Sequence, residues 1–516
     1  MRKSTWLGSV MLAVVTTMML LGGEARAQYE WIGTTGDWFD GANWTLGPPI
    51  QTDDVVINNG GTVQLSQAGA EVSSLKIGTT AGGTGTFEMT AGELMTNYAE
   101  FGVVGTGTAV VSGGNLVVGG GSLFVGGRET AGTGTMTISG GNVSSGDDVQ
   151  LGRIGTGTLN FEGGRLSGGY TVVGKFGTGT WNQTGGFFDQ DFGDLEIGDG
   201  GTTNQQSEQG PRQGTIDMSG GIMYLTGAMA IGNRVGGGDV TISGGAVAIT
   251  GHSPEGSPDN NIFVGRGMNW EGNAGVGGAT SLKIVGGDAI VIANNSLQMN
   301  PLGVSSHAVF GAGITGTSHT TVKLGGNADL AGGDLQVELM GYTPKSGDSW
   351  VLIEAGADLS ADKDAVAGLI QAGGFDAVEQ FPGATGGTIL NQFANEDFSL
   401  APLPEGLSWN VDYESNRVVL SVTGQAISLL GDYNKNGTVD AADYTIWKDN
   451  FGSTSSLDAD GNGNGTVDAA DYTVWKDNFG NTSGGGAGVS AVPEPASCVL
   501  LVGGALAWMA LRRRNG

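Results

Sequence analysis

The sequence predicts an all-β chain: a right-handed parallel β-solenoid with a small β cap, then a small α-helical module, then an apolar C-terminal transmembrane helix. Three observations carry that reading. Glycine supplies 100 of 516 residues, a short Gly-Thr motif recurs through the body, and two nearly identical acidic loop-helix units stand close to the C-terminus.

Composition sets the limits. Glycine inside a helix costs about 1 kcal/mol relative to Ala, so this much glycine excludes a mostly helical chain. Hydrophobic residues are 39%, enough to bury a core, and charged residues only 14%. Collagen would need Gly at every third position and global disorder would need few apolar residues, so both are excluded. The balance of 22 basic against 51 acidic residues gives a net charge of −29, which repels nucleic acid and anionic lipid. Cys498 is the single cysteine; the body therefore has no disulfide, thiol nucleophile or cysteine zinc site. His252, His307 and His319 show no metal-ligand spacing.

The body repeats from about residue 83. Clear copies of the motif are Gly132-Thr133-Gly134-Thr135-Met136-Thr137-Ile138-Ser139-Gly140-Gly141 and Gly155-Thr156-Gly157-Thr158-Leu159-Asn160-Phe161-Glu162-Gly163-Gly164. Gly113, Gly140, Gly163 and Gly185 lie 27, 23 and 22 residues apart, and later gaps widen, as insertions into a constant unit would do. A second element follows each Gly-Gly, as in Leu123-Phe124-Val125-Gly126 and Thr171-Val172-Val173-Gly174. Period-two alternation, as in Met136/Ile138 and Leu159/Phe161, predicts strands with one buried face. A 22–24-residue unit with two or three short strands predicts a parallel solenoid. Nine coils at about 4.8 Å would make a rod of about 43 Å; a sandwich or propeller is the alternative all-β arrangement. Trp31, Trp38 and Trp44 are expected to cover the start of the rod, and residues 340–425 to form a distinct β unit at its end.

Residues 432–443 read Asp-Tyr-Asn-Lys-Asn-Gly-Thr-Val-Asp-Ala-Ala-Asp, and residues 460–471 read Asp-Gly-Asn-Gly-Asn-Gly-Thr-Val-Asp-Ala-Ala-Asp. Oxygen donors recur at loop positions one, three, five, nine and twelve: Asp432, Asn434, Asn436, Asp440 and Asp443, then Asp460, Asn462, Asn464, Asp468 and Asp471. Thr438 and Thr466 add main-chain carbonyls, and Gly437 and Gly465 supply the sharp bend at position six. This spacing is that of the EF-hand loop, which wraps six to eight hard oxygens around Ca²⁺. Two ions are expected. A short helix should follow each loop, Tyr444 to Phe451 and Tyr472 to Phe479.

The paired units resemble a type I dockerin over residues 431–480. The resemblance implies two Ca²⁺ ions and docking onto a cohesin domain, in either of two orientations related by a pseudo-twofold. It implies partner choice at Ala441, Ala442, Ala469 and Ala470, and a basic contact at Lys448 and Lys476. The alanines differ from the Ser-Thr pair common in the family, and Asp449 and Asp477 stand where a second basic residue is common.

The ends read as addresses. Arg2 and Lys3, the apolar run Val10 to Leu21 and Ala25-Arg26-Ala27 predict an export signal over residues 1–27; an uncleaved anchor is the alternative. Pro493, Glu494 and Pro495, the apolar stretch Ala496 to Leu511, and Arg512, Arg513 and Arg514 resemble the PEP-CTERM sorting signal. In that family an exosortase cuts the segment, in bacteria that make exopolysaccharide; a plain tail anchor is the alternative. The body is loosely similar to the autotransporter-associated β-strand repeat proteins, without their outer-membrane barrel.

The expected organisation is therefore signal 1–27, cap and first strands 28–82, solenoid 83–339, β cap 340–425, dockerin-like module 426–482, Gly/Ser linker 483–491 and sorting signal 492–516. The leading expectation is an exported, non-catalytic structural or adhesive protein of the cell surface or matrix, tethered through the calcium module. A dockerin-borne polysaccharide-binding or polysaccharide-degrading component (a lyase or glycosidase) is the alternative. Two further features bear on it. Arg128, Arg153, Lys175, Arg234 and Arg266 follow successive turns and either stack into a basic stripe or pair with local acids. Asp189, Asp191, Asp194, Glu196 and Asp199 beside Phe187 and Phe188 offer the paired carboxylates that glycosidases use, or are ordinary surface acids.

Overall fold

The computed structural model describes residues 28–200, 212–233, 236–250, 261–266, 277–301, 305–375, 386–425 and 429–482. The expected signal, linker and sorting segment lie outside them. No helix among the described residues is long and apolar enough to cross a membrane. The chain divides into two compact units, one holding the body through Pro402 with Trp409–Val422, the other Leu403–Ser408 and the residues from Thr423 onward.

The body is a stack of parallel windings. Twelve three- or four-residue strands, or shorter, pair in chain order in one parallel sheet, from Gln28–Glu30 and Asp54–Ile57 to Leu297–Met299 and Ala328–Asp329. Eleven steps of about 4.8 Å span about 53 Å. Two further columns of strands belong to the 24-stranded sheet and are also parallel through the stack. Like residues sit over like: Thr84, Thr106, Thr133, Thr156 and Thr178 form one row. Met89, Val111, Ile138 and Phe161 form another, and Leu94, Leu116, Val143, Leu166 and Phe188 a third. The two apolar rows are buried. Asn115 bonds to Asn142 and Asn160 to Asn182, each at 2.9 Å, so outward amides also ladder from one winding to the next.

The stack starts earlier than the motif does. Gln28–Glu30 already pairs with Asp54–Ile57, so residues 28–82 carry full windings. Trp38 and Trp44 meet edge to face at 5.3 Å, Trp31 and Trp44 at 4.9 Å, and Trp38 packs on Phe87 at 6.1 Å. All three indoles are buried, which closes the apolar interior at its first winding.

The far end departs from the expected β unit, because it contains a helix, α1 (Ser360–Ala372). Val366 and Ile370 of α1 pack with Phe187, Ile222, Tyr224, Ala246, Ala248 and Ile292. In the earlier windings the corresponding outward positions are Asn115, Asn142 and Arg165. Where these outward positions turn apolar the sheet needs a cover, and α1 provides it. Ser349–Ala355 continues the parallel stack on Val322–Leu324, and Arg417–Gly424 then pairs with it antiparallel, ending the progression.

Glycine is required where windings touch. A Cβ on Gly157 would stand 2.1 Å from the Val125 carbonyl oxygen and 2.3 Å from the Gly152 nitrogen, both main-chain atoms. Gly119 has open space instead. Gly157→Ala is therefore expected to destabilise the body by about 1–3 kcal/mol, the range for forcing extra atoms into a packed interior. Gly119→Ala should leave the thermal midpoint unchanged within a degree or so. Thermal unfolding followed by circular dichroism compares the two.

Candidate metal centre

The two acidic loops fold in the same way, from their first carboxylate outward. Asp432 accepts from the amides of Asn436 at 3.1 Å and Gly437 at 2.8 Å; Asp460 accepts from Asn464 at 3.1 Å and Gly465 at 2.7 Å. Asn434 and Asn436 each accept from the amide two residues on, at 2.9 Å, and Asn462 and Asn464 repeat this at 2.9 and 2.8 Å. Each loop backbone is thus drawn around its own donor side chains. Gly437 and Gly465 make the bend with φ of 83° and 85°.

The twelfth residue ties the loop to its helix. Asp443 accepts from the Asn434 amide at 2.9 Å with one oxygen and from the Asp440 amide at 2.8 Å with the other; Asp471 does the same at 3.0 and 2.7 Å. Asp440 and Asp468 accept from Ala442 and Ala470, completing capping boxes. These boxes start the helices three residues before the expected positions, at α2 (Ala441–Asn450) and α3 (Ala469–Asn478). Satisfying the orphan amides of the first turn favours that start. Ala441, Ala442, Ala469, Ala470, Lys448 and Lys476 are all exposed on these helices.

Contacts absent from the sequence reading cross between the two units. The Trp447 indole donates to the Asp468 carbonyl and the Trp475 indole to the Asp440 carbonyl, each at 2.8 Å. Val439 pairs with Gly480 and Asn481, and Val467 with Gly452 and Ser453. Tyr433, Ala459 and Val467 form the buried centre, with Ile446, Trp447 and Trp475 around it. Burial first, then the neighbouring carboxylates of Asp471, Asp443 and Asp460, pushes the Tyr433 phenol up to about 12. The matching Trp447 and Trp475 were visible as identical residues 28 positions apart, but nothing in the linear pattern says that each indole reaches the other loop.

The donor chemistry fits a hard divalent cation. Asp443 and Asp471 are 0% exposed, and each shares its loop with two other carboxylates. The one ion pair described within the module, Lys435–Asp458 at 3.7 Å, joins two largely exposed side chains and neutralises neither loop. Among the described residues no three or more His, Cys, Asp or Glu side chains are gathered as a site, so the fit rests on the mixed set. Three carboxylates, two amide oxygens and a main-chain carbonyl per loop match the all-oxygen preference of Ca²⁺.

Among its described residues the body offers no comparable convergence. Asp189 pairs with Arg165 on the 24-stranded sheet. Asp194 and Glu196 lie at the twelve-stranded sheet, where Asp194 is 3.6 Å from Arg266 and Glu196 accepts from Tyr170 and Asn233. Asp199 is 3.8 Å from Lys175. The acidic cluster of the sequence is thus divided between two faces. Burial, then Asp189, raises the Asp191 carboxyl above its usual range. Of the basic series, Arg128 meets Glu129, and Lys175 and Arg266 have the partners just named, so these three are paired locally. Arg153 lies 5.9 Å over the Phe124 ring. Arg234 and His252 lie outside the described residues.

One backbone feature separates the loops. At position four Lys435 has φ of 60°, whereas the second loop has Gly463 with φ of 71°. A side chain in this conformation costs roughly 1–2 kcal/mol, and a Cβ at Gly463 meets nothing within 4 Å. Gly463→Ala is therefore expected to destabilise the apo module by about 1 kcal/mol through φ alone, and Lys435→Gly to stabilise it slightly. Chemical unfolding monitored by Trp fluorescence reads both.

Residues 430–479 match the family described as Dockerin type I domain. Neither a curated protein nor a solved structure matches the chain. Residues 430–479 are a type I dockerin domain; such domains bind calcium in their EF-hand-like loops and dock onto cohesin domains.

Proposed function

We propose that this chain is an exported, non-catalytic component of the bacterial surface or extracellular matrix, whose body is a spacer or display rod held to a cohesin-bearing partner by its dockerin domain. The observation that supports this is the pair of like-folded acidic loops, each closed onto a helix whose leading alanines and lysine are exposed. Calcium removes the repulsion among three carboxylates per loop, so binding and folding of the module are linked.

The stacked windings are read as a right-handed β-solenoid, the hand that parallel crossovers adopt almost without exception. Outward rows of its earlier windings carry hydroxyls and amides, and many of its described Lys and Arg side chains pair with acids, which suits a solvated spacer. Residues 492–516 are read as a PEP-CTERM-type signal that an exosortase-like enzyme removes, with an exopolysaccharide matrix as the setting. Ala441, Ala442, Ala469 and Ala470, with Lys448 and Lys476, are the partner-facing residues. Two near-identical helices present them, so either can face the partner.

The test is capture of the full chain on an immobilised panel of type I cohesins. Binding in calcium that is lost in chelator is the expected result, and Lys448→Glu together with Lys476→Glu should weaken it by at least tenfold. Capture unaffected by chelator, or a calcium-loaded chain that no cohesin in the panel retains, would overturn the docking role.

A further inference from the structure

We propose that the two calcium loops fill cooperatively, because the Tyr433 phenol of the first loop holds the twelfth residue of the second. This rests on the calcium reading of the loops given above. Tyr433 stands at loop position two, between the donors Asp432 and Asn434, so closing the first loop around an ion fixes its backbone. Its side chain leaves that loop, and its hydroxyl donates to the Asp471 main-chain oxygen at 2.6 Å.

Asp471 is the residue on which the second loop closes. Its two carboxylate oxygens accept from Asn462 and Asp468. Holding its main chain therefore holds the carboxylate where the second ion needs it. The phenol is well placed for this: Tyr433 is 5% exposed and packs with Ala459 and Val467, the latter itself inside the second loop.

The second loop cannot return the contact. Its position two is Gly461, and a Cβ there would stand 2.5 Å from the Tyr433 hydroxyl oxygen. The glycine and the tyrosine are thus complementary: one loop gives up its side chain so that the other can reach across. The crossed indoles of Trp447 and Trp475 form a symmetric tie, and the phenol adds a directional one to the same assembly. Binding linkage is reciprocal, so an ion in either loop must favour an ion in the other by the same factor.

Isothermal titration calorimetry of the full chain with calcium chloride reads the ratio of the two stepwise affinities. The wild type is expected to take up the second ion more tightly than two independent sites allow. Tyr433→Phe keeps the ring and removes the hydroxyl, and should reduce that coupling about fivefold, the worth of one hydrogen bond. Gly461→Ala, which leaves residue 433 unaltered but crowds its hydroxyl, should reduce it in the same direction. Two-site binding with an unchanged ratio in both variants would overturn the coupling, as would equal weakening of both steps, which is what a purely packing role gives. Absence of any calcium binding by the wild type would overturn the reading of the loops themselves, a result distinct from either.

Discussion

A carboxylate with no exposed surface sits at the centre of each half of the dockerin domain. Asp443 and Asp471 are each fully buried, and each spends its two oxygens on main-chain amides at opposite ends of its own loop. Taking an ionised group out of water costs several kcal/mol unless its charge and lone pairs are met. The amides meet part of that demand, and in doing so they fix the helix start, the loop closure and the position of the remaining donors together. What they leave is negative charge, three carboxylates to a loop, and a divalent cation offsets it. The fold of the module and its need for metal are in this sense one property.

The body meets the demands of burial by stacking. Its main-chain groups pair winding to winding, and its apolar rows repeat residue for residue, so each added winding extends the same interior. The cost falls on side-chain variety. Where main chains approach as closely as at Gly157, no other residue fits. Where the outward positions turn apolar, at Phe187, Ile222, Ala246 and their neighbours, a helix has to cover them. Polar and charged groups along the outside are engaged locally, by amide ladders and by ion pairs such as Lys175 with Asp199. A surface arranged in this way presents regular, solvated rows, and with 51 acidic against 22 basic residues in the whole chain it carries a net negative charge.

Much of this was legible in the linear pattern, for physical reasons. Stacking demands that like residues recur at a constant spacing, so the Thr-Gly-Thr rows announce themselves. Metal ligation demands fixed loop offsets, so the twelve donor positions do too. What the pattern did not disclose depends on tertiary contact. Helix α1 carries no decisive period of its own and contains Gly368; its warrant is the apolar outward face it covers, which lies more than a hundred residues earlier in part. The first windings lack the Gly-Thr motif, and their interior adds the buried indoles of Trp31, Trp38 and Trp44 to aliphatics such as Val55, Ile57 and Leu75. The early start of α2 and α3 follows from Asp440 and Asp468, which cap the helices from loop position nine. The crossing bonds of Tyr433, Trp447 and Trp475 join residues between 21 and 38 positions apart, which no local spacing encodes.

The domain's dependence on calcium is the claim on which its attachment role stands. Hydrogen–deuterium exchange of the full chain, with calcium and with chelator, addresses it residue by residue. Strong added protection in calcium over 432–443 and 460–471, extending into α2 and α3, with the parallel windings of the body unchanged, is the result expected. Equal protection of those loops in both conditions would contradict it.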